Sequence, residues 1–183
     1  MYPNIALIGK AQAGKDSAAA HLVAQHGYRR EAFADRLKAA ALEVDPVVHV
    51  DHRWDEEYRL QEVVGVRGWE RAKEEVPEVR RFLQHLGHSM RQLAPYIWIH
   101  PVANAICVNG AAHVPTVVTD VRYWNEVHAL REAGFTFVRI VRPGTGDDSH
   151  VSETELDGFA ADVTINNSGT LAELYAQIEG VIA

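Results

Sequence analysis

The sequence predicts an α/β protein with a parallel sheet that is covered by helices on both faces. A short apolar run at residues 4–8 leads into a glycine-rich loop and then into an Ala-rich segment with helical character. Further apolar runs alternate with segments of helical periodicity, which is the pattern of successive β-α units. A length of 183 residues suits a single domain with a sizeable core.

The first half of the chain begins with the clearest strand and helix. Residues 17–25 are predicted as a helix that Gly27 ends, and residues 28–33 as a short strand. Asp35 is predicted to cap a helix that ends before Asp45 and Pro46. Residues 47–77 are charged and aromatic, so we expect a mobile insertion with one helix near residues 58–64.

The second half of the chain contains longer helices and three strands. Residues 78–93 place apolar side chains on one side of a helix, and a further helix is expected over residues 98–107. The remaining elements are a strand over 114–120, a helix over 125–133, a strand over 135–141, a strand over 162–165 and a helix over 170–182.

The loop after the first strand has the pattern Gly-x4-Gly-Lys, formed by Gly9, Gly14 and Lys15. Glycines leave backbone N–H groups accessible to a phosphate, and the following helix points its positive end at the same anion. The lysine adds a positive charge that can follow a transferred phosphoryl group. The loop therefore predicts binding of a nucleoside triphosphate.

Asp16 stands where this pattern usually has a serine or threonine that ligates Mg²⁺. The carboxylate could ligate the ion, hold it through water, or leave that task to Ser17. Alternatively, Asp16 only caps the helix. The sequence leaves these alternatives open.

Polar residues follow two other predicted strands, at the edge where ligands bind in open α/β sheets. Asp120 is placed to hold Mg²⁺, or else to cap a turn or helix, and Arg122 could reach a phosphate from the same edge. Asp35, Arg36 and Lys38 follow the second strand, where they form either a second anion site or ordinary surface.

A polar loop, with Arg142 before it and His150 and Glu153 on its far side, is a candidate lid. A lid arginine can stabilise charge in a phosphoryl-transfer transition state. His85 and His88 have helical spacing, but no cysteine or acidic residue accompanies them at ligand spacing, so a zinc site is disfavoured.

Composition excludes several classes of protein. A net charge of −7 argues against binding polymeric nucleic acid, and no apolar run approaches the length of a membrane span. Because the first strand begins almost at once, we expect no signal peptide. The single cysteine, Cys107, excludes an internal disulfide, suits a reducing cytoplasm and is expected to be a buried thiol.

Several segments together resemble the bacteriophage deoxynucleoside monophosphate kinases, over about residues 4–180. Beyond the loop residues Gly14 to Ser17, the similar segments are 33–38 (FADRLK), 81–87 (RFLQHLG), 95–98 (PYIW), 118–126 (VTDVRYWNE), 150–153 (HVSE) and 165–171 (INNSGTL). Aspartate at position 16 is itself familiar in that family and in some phosphomevalonate kinases.

The resemblance implies a three-layer α/β/α fold of the adenylate-kinase-like P-loop class, with a five-stranded parallel sheet in the order 2-3-1-4-5. It implies an acceptor-binding helical insertion over about residues 45–95 and a lid over about 142–155. It also implies transfer of the ATP γ-phosphoryl group to a deoxynucleoside monophosphate, with Mg²⁺. We expect small-molecule partners only, a cytoplasmic location (the host cytoplasm if phage-encoded), and a monomer or homodimer.

The resemblance also assigns roles to residues. Lys15, Arg122 and Arg142 would be catalytic, and Asp16, Ser17 and Asp120 would lie near Mg²⁺. ATP would contact Gly9, Ala11, Ala13, Gly14, Lys15, Asp16, Ser17, Asn167, Gly169 and Thr170. The acceptor would contact Asp35, Arg36, Lys38, Gln84, Arg91, Trp98, Arg122, His150 and Glu153.

Two other functions are consistent with the loop. The same fold could phosphorylate another small acceptor, as phosphomevalonate-type and dephospho-coenzyme-A-type kinases do. Alternatively, a nucleotide-sensing module would bind ATP and signal by loop closure without catalysis. The basic residues at two strand ends favour an enzyme with a phosphorylated acceptor.

Overall fold

The computed structural model describes residues 2–51, 53–145 and 154–183. It divides into two compact units, one formed by residues 1–33 and 99–183 and the other by residues 34–98. In chain order the elements are β1 Ile5–Ile8, α1 Lys15–His26, β2 Arg29–Glu31, α2 Phe33–Val44, β3 Val47–Asp51, β4 Glu56–Arg59, α3 Leu60–Glu75, α4 Pro77–Leu93, α5 Ile99–Ala111, β5 Thr116–Val118, α6 Trp124–Glu132, β6 Thr136–Val141, β7 Val163–Asn166 and α7 Leu171–Ile182.

The first unit contains a parallel sheet whose described strands run in the order β2-β5-β1-β6-β7. Counted along the chain within this sheet alone, that order is 2-3-1-4-5, so the predicted topology is confirmed. The labels differ only because the strands β3 and β4, which the sequence analysis did not predict, precede β5. Parallel pairing brings the carboxyl ends of all these strands to one edge of the sheet.

The sheet lies between two layers of helices because its strands are apolar on both faces. All four residues of β1 are buried. Ile5 and Leu7 belong to a core that also contains Leu22 of α1 and Ile178 of α7. On the opposite face, Phe137 packs edge-on against Phe159 and beneath the guanidinium of Arg131 on α6. This arrangement is the three-layer α/β/α fold predicted from the sequence.

The boundaries of α1 follow from glycines at both ends. Gly14 precedes the helix with a φ of 106°, and Gly27 follows it with a φ of 69°. At the C-terminal end the Gly27 N–H donates to the Leu22 carbonyl, which closes the helix. The predicted end of this helix is therefore confirmed, and its start lies slightly earlier, at Lys15.

The structure corrects the prediction for residues 47–77. Strands β3 and β4 form an antiparallel hairpin in which His49 pairs with Tyr58, and α3 is a longer helix than expected. Asp55 adopts a φ of 54° between the two strands. The charged residues of this segment hid the β-branched run in β3, while α3 contains a break at Gly68, where φ is 73°.

The second unit has its own apolar core. Ala41 of α2, Val48 of β3, Leu60 and Val63 of α3, and Val79 of α4 are all buried in one cluster. The hairpin and helices of residues 34–98 are therefore a packed structure. The predicted helix over 78–93 is confirmed as α4, which starts one residue earlier with Pro77 in its first turn.

Two further expectations are wrong. Asp35 does not begin α2, because the helix starts at Phe33 and Asp35 lies in its first turn. Cys107 is exposed on α5, whose buried positions include Ile99 and Val102. An apolar run predicts burial only on the helix face that meets the core. Within the described residues, no helix is both long and apolar enough to cross a membrane.

Candidate active site

The loop between β1 and α1 places its glycines where a side chain would not fit. Gly9 has a φ of 154°, and a Cβ atom there would lie 2.4 Å from the Ile140 carbonyl oxygen. Gly14 has a φ of 106°, and its Cβ would lie 2.4 Å from the Asn167 amide nitrogen. Both positions therefore require glycine, and the loop backbone stays open toward the N-terminus of α1.

Lys15, the first residue of α1, carries a buried ammonium group. Its side chain is only 9% exposed, and its Nζ donates to the carbonyl oxygens of Gly9 and Lys10, each at 2.7 Å. The pKa of Lys15 is lowered from 10.5 to about 8, mainly by burial and next by the positive charge of Arg122. The carboxylates of Asp16 and Asp120 oppose this shift and do not cancel it.

The same electrostatics show which predicted residues lie together. Arg122, Asp16 and Asp120 are close enough to change the pKa of Lys15, although Asp120 and Arg122 are more than a hundred positions away in the chain. All of them belong to the first unit. The structure thus brings together the loop lysine, two candidate metal-binding acids and one of the predicted catalytic arginines.

Asp120 also has a structural role. Its Oδ1 accepts a hydrogen bond of 2.9 Å from the backbone N–H of Phe33, the first residue of α2. The carboxylate therefore satisfies an N–H group that the start of a helix leaves without an intrahelical partner. This contact explains why α2 begins before Asp35.

Glu126 is a site residue that the sequence analysis missed. It is 1% exposed, and its Oε2 accepts hydrogen bonds from the backbone N–H groups of Arg122 at 2.8 Å and Tyr123 at 3.1 Å. These bonds fix the backbone that carries Arg122. An acid in the first turn of α6 was the available signal, but a tyrosine at the position before the helix weakens that pattern.

Asp16 and Ser17 lie in the first turn of α1. Asp16 is exposed, and the residue at the N-cap position of the helix is Gly14, which has no side chain to form a capping hydrogen bond. Both residues present oxygen atoms at the end of the helix that faces the loop.

Asn167 braces the loop from the end of β7. Its side chain is buried, and its Nδ2 donates to the Ala13 carbonyl oxygen at 2.8 Å. Its backbone N–H donates to the Val141 carbonyl. Gly169 and Thr170 follow at the surface, and Thr170 caps α7 through a mutual interaction with Glu173.

A small open pocket, lined by Gly9 of the loop and by Arg122, adjoins the loop. Its polar lining includes Lys10, Arg139 and Asp157, which the sequence analysis did not select. Lys10 and Asp157 form an ion pair at 2.6 Å across the pocket wall, and Arg139 donates to the carbonyl oxygens of residues 156 and 159. These contacts attach residues 154–162 to the sheet edge that carries the loop.

Apart from Arg122, the predicted acceptor residues that the structure describes lie at the start of α2, on α4 and just after α4. Asp35 and Arg36 are exposed, whereas Gln84 and Arg91 on α4 are partly buried. Lys38 lies 5.7 Å from the centre of the Trp69 ring. Among these residues of α2, Arg36 is the one that is both positively charged and exposed.

Trp98 is buried within the second unit, and its indole N–H points at the Gly87 carbonyl at 3.4 Å. Its described contacts are thus packing contacts of that unit. Arg142, at the carboxyl end of β6, is exposed. His150 and Glu153, and most of the predicted lid over 142–155, lie outside the described residues.

Comparison with known proteins identifies the family. Residues 47–178 match the family model described as deoxynucleotide monophosphate kinase. A putative deoxynucleotide monophosphate kinase from Acanthamoeba polyphaga mimivirus is 30% identical over 95% of this chain and 93% of its own length. The chain belongs to the deoxynucleotide monophosphate kinase family.

Further relatives agree with this assignment. The deoxynucleotide monophosphate kinase of Escherichia phage RB69 is 33% identical over 57% of this chain and 44% of its own length. Among solved structures, a sugar kinase from Janibacter sp. HTCC2649 superposes with a TM-score of 0.55 at 13% identity, covering 100% of this chain and 96% of that one. This structural likeness agrees with the α/β fold described above for this chain.

Proposed function

We propose that the chain transfers the γ-phosphoryl group of ATP to a deoxynucleoside monophosphate, giving the deoxynucleoside diphosphate and ADP. The observation that carries this proposal is the buried Lys15 at a glycine loop, beside Arg122, in a member of this kinase family. Phosphoryl transfer depends on positioning and charge stabilisation, and these groups supply both.

The loop would bind the triphosphate through backbone N–H groups of residues 9–14 and the N-terminus of α1. Lys15 at present donates to the Gly9 and Lys10 carbonyls. When a triphosphate is bound, the ammonium would donate to the oxygens of the β- and γ-phosphates instead. Negative phosphate beside it favours the charged form, so binding raises the pKa of Lys15 back toward its ordinary value.

Arg122 would supply the second positive charge at the transferred group. Its backbone is held by the buried carboxylate of Glu126 through two N–H groups. A guanidinium on a fixed backbone needs little rearrangement to meet charge that develops on the phosphoryl oxygens. Arg142 would add a third positive group from the lid.

The oxygen atoms of Asp16, Ser17 and Asp120 fit a site for Mg²⁺, because this cation prefers carboxylate, hydroxyl and water oxygens. The fit rests on their shared position beside Lys15, because the carboxylates of Asp16 and Asp120 both raise the pKa of that lysine. When bound, Mg²⁺ would neutralise charge on the phosphate oxygens and orient them. Asp120 would hold the ion with the same carboxylate that accepts the Phe33 N–H.

The choice between Asp16 and Ser17 can be tested directly. The magnesium concentration needed for half-maximal rate is measured in Asp16→Asn and in Ser17→Ala. Loss of a direct ligand raises that requirement, whereas loss of a residue that does not contact the ion leaves it unchanged. If neither substitution raises it, both residues are removed from the proposed metal site.

The second unit would bind the acceptor nucleotide. Within this unit, Arg36, Lys38 and Arg91 carry charges that suit its phosphate. Gln84 and Trp98 would face the base or sugar of the acceptor. Asp35, His150 and Glu153 would be further contacts of the acceptor. Asn167 would support the ATP site by holding the loop at Ala13, with Gly169 and Thr170 bordering adenine.

The activity is tested by measuring ADP release with each of the four deoxynucleoside monophosphates, with ribonucleotides as controls. Turnover with at least one deoxynucleotide is expected, and no turnover with any would overturn the proposal. Arg122→Ala should lower the turnover number by orders of magnitude while the circular dichroism spectrum stays native. Arg29→Ala, which removes an exposed arginine of β2, is the matched control and should stay near the wild-type rate.

A further inference from the structure

Two histidines of α1 and one glutamate of α7 converge at the end of α1 opposite the phosphate loop. Among the described residues, His21, His26 and Glu179 form a group whose ligand atoms all lie within 4.8 Å of one another. The Nε2 atoms of His21 and His26 lie 2.6 and 2.7 Å from the same atom, Glu179 Oε1. Residues from two separate helices therefore point three ligand atoms at one small volume.

Aromatic neighbours fix the direction of both imidazole rings. His21 stacks on Tyr175 with ring centres 4.2 Å apart and planes 10° apart, and Tyr2 contacts His26 edge-on at 4.9 Å. The two histidine side chains are 16% exposed, and that of Glu179 is 40% exposed. The rings are thus held in place, while the carboxylate has room to move and the site stays open to solvent.

We propose that His21, His26 and Glu179 bind one transition-metal ion of the zinc type. Two imidazole nitrogens and a carboxylate oxygen are a ligand set that suits Zn²⁺, with water completing the coordination. Tetrahedral coordination at about 2.0–2.1 Å places ligand atoms roughly 3.3 Å apart. The present contacts are shorter, so the half-exposed Glu179 side chain must withdraw slightly as the ion enters.

The sequence hid this site because its ligands are far apart in the chain. His21 and His26 are separated by four residues on one helix, and Glu179 is 153 positions after His26. Only the packing of α7 beside α1 on one face of the sheet brings them together. The pair His85 and His88, which the sequence made prominent, is not part of this group.

The ion would join the C-terminal end of α1 to α7. Both helices contribute to the same apolar core, through Leu22 and Ile178. The 12 residues of α1 put His26 about 16 Å along the helix from Lys15, because the helix rises 1.5 Å per residue. The site is therefore structural, and its loss should leave the basal kinase rate unchanged.

The proposal is tested by titrating the chelator-treated, full-length protein with Zn²⁺ in the presence of excess Mg²⁺. We expect saturable binding of one ion per chain and a rise in Tm of several degrees when free Zn²⁺ is about 100-fold above Kd. His21→Gln, His26→Gln and Glu179→Gln should each weaken binding at least about tenfold and remove the rise in Tm. His128→Gln, which changes an exposed histidine of α6, should behave like the wild type.

Melting curves recorded in EDTA show whether each variant folds, and a glutamine variant that does not fold is replaced by the alanine variant at the same position. With Co²⁺ as the probe, visible absorption bands of a low-symmetry site should appear in the wild type and be lost in the variants. Zn²⁺ binding that is equal in the wild type and in His26→Gln would overturn the proposal. The absence of saturable binding would also overturn it, and His21 and His26 would then only form hydrogen bonds with the Glu179 carboxylate.

Discussion

Replacing Lys15 by methionine should stabilise the folded chain at neutral pH while it abolishes phosphoryl transfer. Methionine has a similar length and flexibility but no charge, so it can occupy the same buried space. In the wild type, the fold holds the charge of Lys15, a residue that is only 9% exposed, beside the positive charge of Arg122. The free energy of unfolding is reduced by that arrangement, because the unfolded chain solvates the charge fully.

The magnitude follows from the lowered pKa. A fall from 10.5 to about 8 corresponds to a cost of about 3 kcal/mol near pH 7, at about 1.36 kcal/mol per pKa unit. Between those two pKa values the unfolded chain binds more protons than the folded one, so wild-type stability rises with pH. The cost falls to about 1 kcal/mol near pH 9.5 by the same relation.

The substitution also removes two hydrogen bonds, from Lys15 Nζ to the Gly9 and Lys10 carbonyls. Each contributes about 1 kcal/mol net, and water can replace the lost donor. Lys15→Met should therefore be about 1 kcal/mol more stable than the wild type at neutral pH, and this difference should be lost as the pH approaches about 9.5.

The assay is urea unfolding followed by far-ultraviolet circular dichroism, near pH 7 and near pH 9.5, with ADP release measured in parallel. Lys10→Met is the matched control, because it removes the other lysine of the loop, which is paired with Asp157 at the surface. That control should not raise the free energy of unfolding. The reasoning is refuted if Lys15→Met is the less stable protein at neutral pH, or if its difference from the wild type does not change with pH.

Three other predictions follow from contacts around the loop. When ATP binds near pH 8, Lys15 should take up about half a proton, whereas near pH 6 it should take up almost none. Calorimetry in buffers of different ionisation enthalpy measures this proton uptake. Equal uptake at the two pH values would contradict the assigned pKa. Asn167→Ala should lower the free energy of unfolding by about 1–3 kcal/mol and raise KM for ATP, because the Ala13 carbonyl loses its hydrogen-bond partner. An unchanged KM would show that the loop holds its shape without the Asn167 side chain. Glu126→Gln should reduce kcat more than KM by loosening the backbone of Arg122, as initial-rate kinetics would show, and a wild-type kcat would exclude this positioning role.

The phosphate loop could be predicted from sequence because its determinants are local. Gly9 and Gly14 lie within six positions of Lys15, and the apolar run of β1 precedes them directly. The order of the strands followed from the family resemblance, since periodicity alone does not fix which strands are neighbours. The ends of helices were predicted well where a glycine terminates them, as Gly27 does for α1.

The sequence did not reveal which distant residues contact each other. Asp120 caps α2 from 87 positions away, and Asn167 holds Ala13 from 154 positions away. Such pairings arise from the order of parallel strands at one sheet edge, so no local pattern reports them. The hairpin of β3 and β4 was missed for another reason, because its charged and exposed residues obscured the alternation that predicts strands.

The central claim is that this chain moves the terminal phosphoryl group of ATP onto a deoxynucleoside monophosphate. The most direct measurement incubates the enzyme with ATP labelled at the γ-phosphate and each deoxynucleotide, and then separates the products. We predict that the label appears in a deoxynucleoside diphosphate in the wild type, and that its rate of appearance falls by orders of magnitude in Arg122→Ala. Label that is released only as inorganic phosphate, or that stays in ATP with every deoxynucleotide, would contradict the account.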